Sequence, residues 1–336
     1  MADRPADRPP WRLLAALADP EAPPPSSDAF EPAAVASALS VAGPHGVLPI
    51  VRRKLRAAGF DPGRLDETAR PLLADASERL ALEVGQTMIL RHHQRRVMAA
   101  FAEARLAAVV VKGPVFAGRL YPIPTDRYFS DIDILVAEGG ITRANAIVGK
   151  LGFELEKDAF FDTSARKREY QWLLAGNRSV LVELHGNLVH HRALRRRVSL
   201  GYAQLVNLAD SVAGMLVVAI VHASCGHKFH RLLFLVDILQ AVRALPDDEV
   251  PIFEAAVRRL GIALETTTAL GLAGAAFSDE RVLSLASRFS PGIAGRLGLQ
   301  LVTPAAVVDA LPETTVGSRL RRHAFRWLQI SPLARA

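Results

Sequence analysis

The chain has 336 residues, and half of them are hydrophobic, so it can bury a sizeable core in two or three structural units. A single cysteine, Cys225, excludes an internal disulfide framework, and we expect a cytoplasmic protein. The formal net charge of +7 suits a polyanionic partner, although ordinary solvated arginines are the preferred explanation of so modest an excess.

The first third of the chain predicts a leader followed by helices. Residues 1–32 are rich in proline and predict a flexible leader, with one short amphipathic helix over residues 11–17. The polar start is unlike a signal peptide, and the longest apolar run, Val212–Val221, is far short of the ~20 residues of a membrane span. Residues 33–105 predict helices, and the longest of them, over residues 71–105, repeats apolar residues at three- and four-residue steps.

Residues 106–200 predict a small mixed β-sheet with helices, in the α/β (α+β) class, and residues 201–336 predict a C-terminal helical domain. A β-hairpin is predicted where the turn residues Ala175-Gly-Asn-Arg178 separate two segments in which apolar and polar residues alternate. The predicted elements are, in order, a strand at 106–112, a helix at 115–120, a strand ending at Val136, a helix at 141–151, and strands at 153–157, 169–174 and 179–185.

Two aspartates alternate with apolar residues in the stretch Asp131–Val136. Because side chains alternate across a strand, Asp131 and Asp133 share one face, ~6–7 Å apart, and repel each other unless a cation lies between them. Hard divalent ions such as Mg²⁺ prefer such oxygen ligands. Glu183 alternates in the same way and can join the aspartates if its strand pairs nearby. An Asp-x-Asp pair alone is more often an ordinary strand edge with solvated charges.

Several short motifs in a fixed order alter that assessment. They are Lys112-Gly113, Leu120-Tyr121-Pro122, Arg127, Asp131-Ile-Asp133-Ile-Leu-Val136 and Glu183-Leu-His185. Their order resembles the DNA-polymerase-β-like nucleotidyltransferase superfamily, and within it a bacterial branch described as uncharacterised nucleotidyltransferases. The resemblance covers about residues 105–190 well and the helices that follow them loosely.

The resemblance implies a metal-dependent transfer of a nucleoside monophosphate from a nucleoside triphosphate, with ATP as the first expectation, and release of pyrophosphate. Asp131, Asp133 and Glu183 would be the catalytic carboxylates and would bind two Mg²⁺ or Mn²⁺ ions. The acceptor stays open between a small molecule, a peptide, a protein side chain and a tRNA end. The alternatives are a catalytically inactive nucleotide-binding or regulatory module with the same fold, and an RNA-binding adaptor. No membrane partner is expected, and a nucleic-acid partner is not favoured.

One departure from the superfamily concerns the turn that holds the phosphates. Gly113 is followed by Pro114, where the superfamily has serine, and proline offers neither an N–H nor a hydroxyl group. Phosphate contacts are therefore expected from Lys112, Arg127 or Ser130. For Lys112, a solvated strand end is an equal alternative.

Histidines and cations complete the list of candidate site residues. His185 lies on the carboxylate side of its strand, where orienting Glu183 is favoured over contact with the nucleotide or acceptor. The resemblance also implies that the C-terminal helices lean over the sheet and place Lys228 or Arg231 near phosphates, while Asp237 pairs with a cation. The His/Cys-rich turn around Cys225 does not have the spacing of a zinc site.

Overall fold

A computed structural model of the protein describes residues 10–24, 30–74, 76–156, 169–308 and 316–335. The predicted architecture, one small mixed sheet with helices before and after it, is confirmed. Within these residues, no helix combines the length and the apolar character needed to cross a membrane.

One mixed sheet in the described residues carries the acidic motifs. Its strands are β1 (Ala108–Val111), β2 (Asp131–Val136), β3 (Phe153–Leu155), β4 (Glu169–Leu174) and β5 (Asn177–His185). The order across the sheet is β1-β2-β5-β4-β3. Strands β2 and β5 are parallel, and the other neighbouring pairs are antiparallel. The predicted hairpin is thus β4–β5, while Lys157, placed in a strand by the sequence, lies outside the described residues.

Helices precede the sheet and connect its first strands. They are α1 (Pro10–Ala18), α2 (Pro32–Ala42), α3 (Leu48–Ala57), α4 (Arg70–Ala74), α5 (Ala76–Glu103), α6 (Gly113–Arg119) and α7 (Ile141–Lys150). The long helix predicted over residues 71–105 corresponds to α4 and α5. Helix α6 follows β1 directly and connects it to its sheet neighbour β2, whereas α7 follows β2 and leads to β3 at the far edge of the sheet.

Further helices follow the sheet. They are α8 (Arg192–Arg195), α9 (Tyr202–Leu205), α10 (Val212–Val221), α11 (Leu232–Ala244), α12 (Val250–Leu260), α13 (Ala263–Phe277), α14 (Glu280–Ser287), α15 (Ile293–Leu301), α16 (Pro304–Val308) and α17 (Val316–Ile330). Ser211 caps α10, where its hydroxyl accepts a hydrogen bond from the Gly214 amide. A π-helical turn, His222–Gly226, extends the end of α10.

The two faces of the sheet have different environments. Alternate apolar residues of β2 are fully buried in a cluster with Val97 of α5 and Val148 of α7; these β2 residues are Ile132, Ile134 and Val136. Leu135, on the opposite face, belongs to the larger core that contains the C-terminal helices. Because side chains alternate, Asp133 points to that second side of the sheet. The acidic face is therefore directed toward the C-terminal helices.

The short helix predicted over residues 11–17 is confirmed as α1, and it packs against the core although a flexible leader is expected around it. Leu14, Leu17 and Ala18 of α1 are buried, and α1 contacts α11, α13 and α16. An amphipathic helix next to a large apolar core buries its apolar face, and this gain outweighs the local effect of the prolines. The predicted domain boundaries at residues 32, 105 and 200 stay predictions.

A buried ion pair joins the loop before β2 to helix α11. The guanidinium of Arg127 donates two hydrogen bonds to Asp237, from Nε to Oδ1 over 3.0 Å and from Nη2 to Oδ2 over 2.9 Å. The hydroxyl of Tyr121 donates to the same carboxylate over 2.7 Å. All three residues are buried. The pairing of Asp237 with a cation is as predicted, and the pair fixes the C-terminal helices against the acidic strand.

Removing this carboxylate tests the importance of the buried pair. We expect Asp237→Ala to lower the free energy of unfolding by about 3–5 kcal/mol, because the variant leaves the buried Arg127 guanidinium without a counter-charge. Arg178→Ala, which breaks the exposed pair with Glu156, is the control and should cost about 0–1 kcal/mol. Urea unfolding of the three proteins measures both values, and equal losses in the two variants would contradict this role of Asp237.

Candidate active site

The parallel pairing of β2 and β5 creates the acidic site. In this register Asp133 lies opposite Glu183, and Leu135 lies opposite His185. Residues two positions apart on a strand share a face, so these acidic and imidazole side chains lie on one side of the sheet with Asp131. The register thus brings together residues that are fifty positions apart in the sequence.

Asp133 is at the centre of the site. Its Oδ1 lies 2.7 Å from the Lys112 ammonium and 2.9 Å from Nε2 of His185. The same Nε2 lies 3.4 Å from Oε2 of Glu183. Potential ligand atoms of Asp133, Glu183 and His185 all lie within 4.8 Å of one another. Burial alone would raise the pKa of Asp133, but Lys112 and His185 hold it below its usual range.

Asp131 lies beside this cluster and is half-buried. Burial first, and then the charge of Asp133, raises the pKa of Asp131 to about 7, although Lys112 opposes the shift. Among the described residues, Asp131 does not complete a three-residue group of ligand atoms within 4.8 Å. The structure therefore brings Asp133 and Glu183 into contact through His185 and places Asp131 next to them.

The turn from β1 into α6 aims Lys112 at the carboxylates. Lys112 has φ 57° and ψ −142°, a conformation that costs about 1–3 kcal/mol for a residue with a side chain. Gly113 follows with φ 31°, and a Cβ there would lie 3.4 Å from the Asp131 carbonyl oxygen. Pro114 is accommodated because the first turn of a helix has no hydrogen bond for its missing N–H.

The Lys112 ammonium is a buried partner of the carboxylates, not a solvated strand end. Burial lowers its pKa, but Asp133 and then Asp131 raise it, and the net pKa lies above its usual value. The neighbouring carboxylates therefore favour the charged form of this ammonium. Whether it also contacts phosphates stays a prediction.

His185 connects the two carboxylates, consistent with the orienting role that the sequence favours. Burial lowers its pKa, but hydrogen bonds to Asp133 and Glu183 raise it to about 9. The imidazole is 1% exposed and packs edge-on against the ring of His190, with 5.4 Å between the ring centroids. A charged, enclosed imidazole holds both carboxylates in fixed positions.

Strand β4 adds two contacts that the sequence reasoning missed. Nε2 of Gln171 donates to Oε1 of Glu183 over 2.8 Å, because the hairpin register places these two residues opposite each other. Glu169 forms an ion pair with Nδ1 of His190 over 2.8 Å. Burial opposes the shift, but His190 lowers the pKa of Glu169 to about 2. The register shift between Leu173 and Leu174 hides this pairing from a residue count that starts at the hairpin turn.

The histidine-rich end of α10 faces the acidic cluster. His222 and His227 contact each other, with ring centroids 4.5 Å apart, and His227 stacks on Phe234 at 4.8 Å. Burial first, then Lys112 for His222 and His230 for His227, lowers both pKa values, that of His227 to about 2. These are neutral, aromatic-packed imidazoles. In the part of the chain that the structure describes, they and Cys225 form no three-ligand metal cluster.

The four remaining candidates for phosphate contact lie in different environments. Arg127 is buried and pairs with Asp237, and the phosphate contact expected of it stays a prediction. Ser130 is exposed immediately before β2. Lys228 is half-buried with φ 52°, and Arg231 is the exposed N-cap of α11. Arg231 contributes to the lowered pKa of His227, so its charge acts on the histidine-rich turn. Phosphate contact by Ser130, Lys228 or Arg231 stays a prediction.

The raised pKa of His185 predicts a pH-dependent stability. The proton that His185 binds in the folded state contributes its full stability below pH 6.5, its unfolded pKa, and that contribution is lost as the pH rises through about 9. Without divalent metal, we therefore expect the free energy of unfolding to fall more steeply between pH 6.5 and 9 in the wild type than in His185→Gln. His92→Gln, at an exposed position, is the control. Chemical unfolding across this range measures the slopes, and identical slopes for wild type and His185→Gln would refute the assignment.

A family comparison agrees with the geometry. The model of a family described as "Uncharacterised nucleotidyltransferase" matches residues 31–278, which include the whole sheet, the acidic cluster and the helices through α13. A comparison with curated proteins gives no match. The matched region covers well over half of the chain, and the protein belongs to the uncharacterised nucleotidyltransferase family.

Proposed function

We propose that this protein transfers a nucleoside monophosphate from a nucleoside triphosphate, with ATP as the first candidate, to an acceptor and releases pyrophosphate. The observation that carries the proposal is the cluster of buried Asp133 and His185 with half-buried Glu183, on the sheet face directed toward the C-terminal helices. Family membership supports nucleotidyl transfer in general. Our proposal goes beyond family membership in three respects, which are the nucleotide donor, the acceptor and the dependence on a metal ion.

The donor set of the cluster fits a hard divalent cation. Carboxylate oxygens are the ligands that Mg²⁺ and Mn²⁺ prefer, and Asp133 and Glu183 offer them within 4.8 Å of each other. Asp131, Asp133 and Glu183 would hold the ion or ions. A bound divalent ion would neutralise charge that develops on the transferred phosphoryl group. Two cationic side chains already balance Asp133, as expected for a site that concentrates negative charge.

Residues of this chain position the reacting groups. In the proposed reaction the acceptor oxygen bonds to the α-phosphorus, and the bond from that phosphorus to the bridging oxygen of the β-phosphate breaks. The acceptor's proton goes to a carboxylate, and we assign this role to Glu183. Gln171 holds one oxygen of Glu183, and His185 lies beside the other. These contacts fix the direction of the lone pairs that would receive the proton.

The structure also determines which carboxylate gives the clearest test. Replacing Asp133 removes the counter-charge of buried Lys112 and His185, so a structural role and a metal-binding role would both destabilise the protein. Glu183 is more exposed, and a glutamine there can still accept the hydrogen bond from Gln171. Glu183→Gln therefore separates the two roles.

We expect Glu183→Gln to match the wild type in metal-free stability within about 1 kcal/mol. Mg²⁺ with a nucleoside triphosphate at 100 times the dissociation constant should stabilise the wild type by about 2.7 kcal/mol, and this gain should vanish in the variant. Glu138→Gln, an exposed carboxylate just after β2, is the control and should respond like the wild type. Thermal unfolding with and without ligand measures these effects.

Three outcomes of that experiment, combined with an assay for nucleotidyl transfer to an acceptor, separate the candidate functions. A wild type that ignores Mg²⁺ and every nucleoside triphosphate would refute the proposed site. Stabilisation by nucleotide without transfer to any acceptor would indicate the non-catalytic module. Loss of ligand stabilisation in Glu183→Gln alone supports the carboxylate cluster as the nucleotide–metal site. In the proposed reaction, the acceptor is a small molecule, a peptide, a protein side chain or a tRNA end.

A further inference from the structure

A second group of potential metal ligands lies beside the acidic cluster. It consists of Glu169, His185 and His190, and one ligand atom from each lies within 4.8 Å of the other two. Its donors are two imidazoles and one carboxylate, unlike the carboxylate-rich set formed by Asp133 and Glu183. The two groups share only His185.

Strand register and the chain after β5 create this second group. Glu169 of β4 lies directly opposite His185 of β5, so the two side chains share a face of the sheet. His190 follows β5 and returns to place its ring 5.4 Å from that of His185. Nδ1 of His190 lies 2.8 Å from Oε2 of Glu169. Backbone geometry, and not a chance surface contact, thus brings two of the three ligands together.

The hydrogen bonding of His185 leaves one ring nitrogen for a ligand role. Its Nε2 lies 2.9 Å from Oδ1 of Asp133, and an ionised carboxylate only accepts hydrogen bonds, so Nε2 carries a proton and donates it. Nδ1 is buried and has no hydrogen-bond partner among the described residues. A metal ion that binds to Nδ1 would replace the proton that this nitrogen carries in the charged, metal-free imidazole, and that proton would be released to solvent. Buried polar atoms in proteins are normally satisfied, so this nitrogen requires an explanation.

Metal coordination supplies that explanation. Histidine ligands of metals usually donate one ring N–H to a carboxylate and bind the metal through the other nitrogen, as Asp133 and His185 would do here. Ligand atoms around one zinc ion lie ~3.3–3.5 Å apart at bond lengths of ~2.0–2.2 Å. Glu169 and His190 are 32% and 41% exposed, so both can move the short distance that this requires.

We propose that Glu169, His185 and His190 form a site for a divalent transition metal of the Zn²⁺ class, separate from the Mg²⁺ or Mn²⁺ expected at Asp133 and Glu183. Two imidazoles favour Zn²⁺ over Mg²⁺, and two histidines with one glutamate are a ligand set of zinc sites that keep one position open. The open position would lie on the exposed side, next to Glu169 and His190. Zinc there would order β4 and the segment after β5 beside the carboxylates.

The test is Zn²⁺ binding by the untagged, metal-stripped full chain, measured by isothermal titration calorimetry in excess Mg²⁺, which occupies carboxylate sites first. We expect one Zn²⁺ per chain. Glu169→Gln and His190→Gln should each weaken the affinity by at least about 100-fold. Both positions are partly exposed, so the variants should keep the metal-free unfolding midpoint, which is measured in parallel. His92→Gln, an exposed histidine of α5, is the matched control and should bind like the wild type.

Three results would overturn the proposal. These are no saturable Zn²⁺ binding by the wild type, unchanged affinity in Glu169→Gln and His190→Gln, or complete displacement of Zn²⁺ by Mg²⁺, which would put the zinc among the carboxylates. The readout requires no nucleotide and no acceptor. Failure of the proposed transfer reaction would therefore leave this result intact, and the reverse also holds.

Discussion

The parallel pairing of β2 with β5 is the constraint on which the rest of the site depends. It places Asp133 beside Glu183 on the face of the sheet directed toward the C-terminal helices, with Asp131 one pleat away. Like charges in a partly buried site raise the free energy of the fold unless cations or protons balance them. Lys112 and His185 supply two positive charges, and the raised pKa of Asp131 shows that the balance is incomplete.

Other features of the fold keep that arrangement in place. Lys112 adopts a strained backbone conformation that directs its ammonium to Asp133. The Arg127–Asp237 pair holds helix α11, and with it the histidine-rich turn, against the loop that precedes β2. Strained residues and buried ionic groups cost stability, so their concentration around two carboxylates is typical of a functional site, not of a structural one.

Local patterns in the sequence predicted much of this site. Alternation of apolar and acidic residues placed Asp131 and Asp133 on one face, and the turn at Gly176 predicted the hairpin that carries Glu183. An irregularity between Leu173 and Leu174 shifts the register of this hairpin, so counting from the turn does not place Gln171 opposite Glu183 or Glu169 opposite His185. Contacts between residues that are far apart in the sequence also leave no local pattern from which they can be predicted.

Arg127 illustrates that limit, because its partner Asp237 is 110 residues away and only the folded chain shows that the guanidinium is occupied. Helix α1 illustrates the same limit, because the sequence predicts the helix itself but not the core helices far along the chain against which it packs. Burial in the folded chain determines both the pairing of Arg127 and the packing of α1, and local sequence patterns do not predict such burial.

The most direct test of the central claim follows the two ends of the triphosphate separately. The purified protein is incubated with Mg²⁺ or Mn²⁺, candidate acceptors, and ATP labelled either at the α- or at the γ-phosphate. Nucleotidyl transfer predicts that the α label appears on an acceptor while the γ label leaves as pyrophosphate. The variant Glu183→Gln should neither label the acceptor nor release pyrophosphate. Transfer of the γ label to the acceptor would show a kinase reaction and would contradict the account.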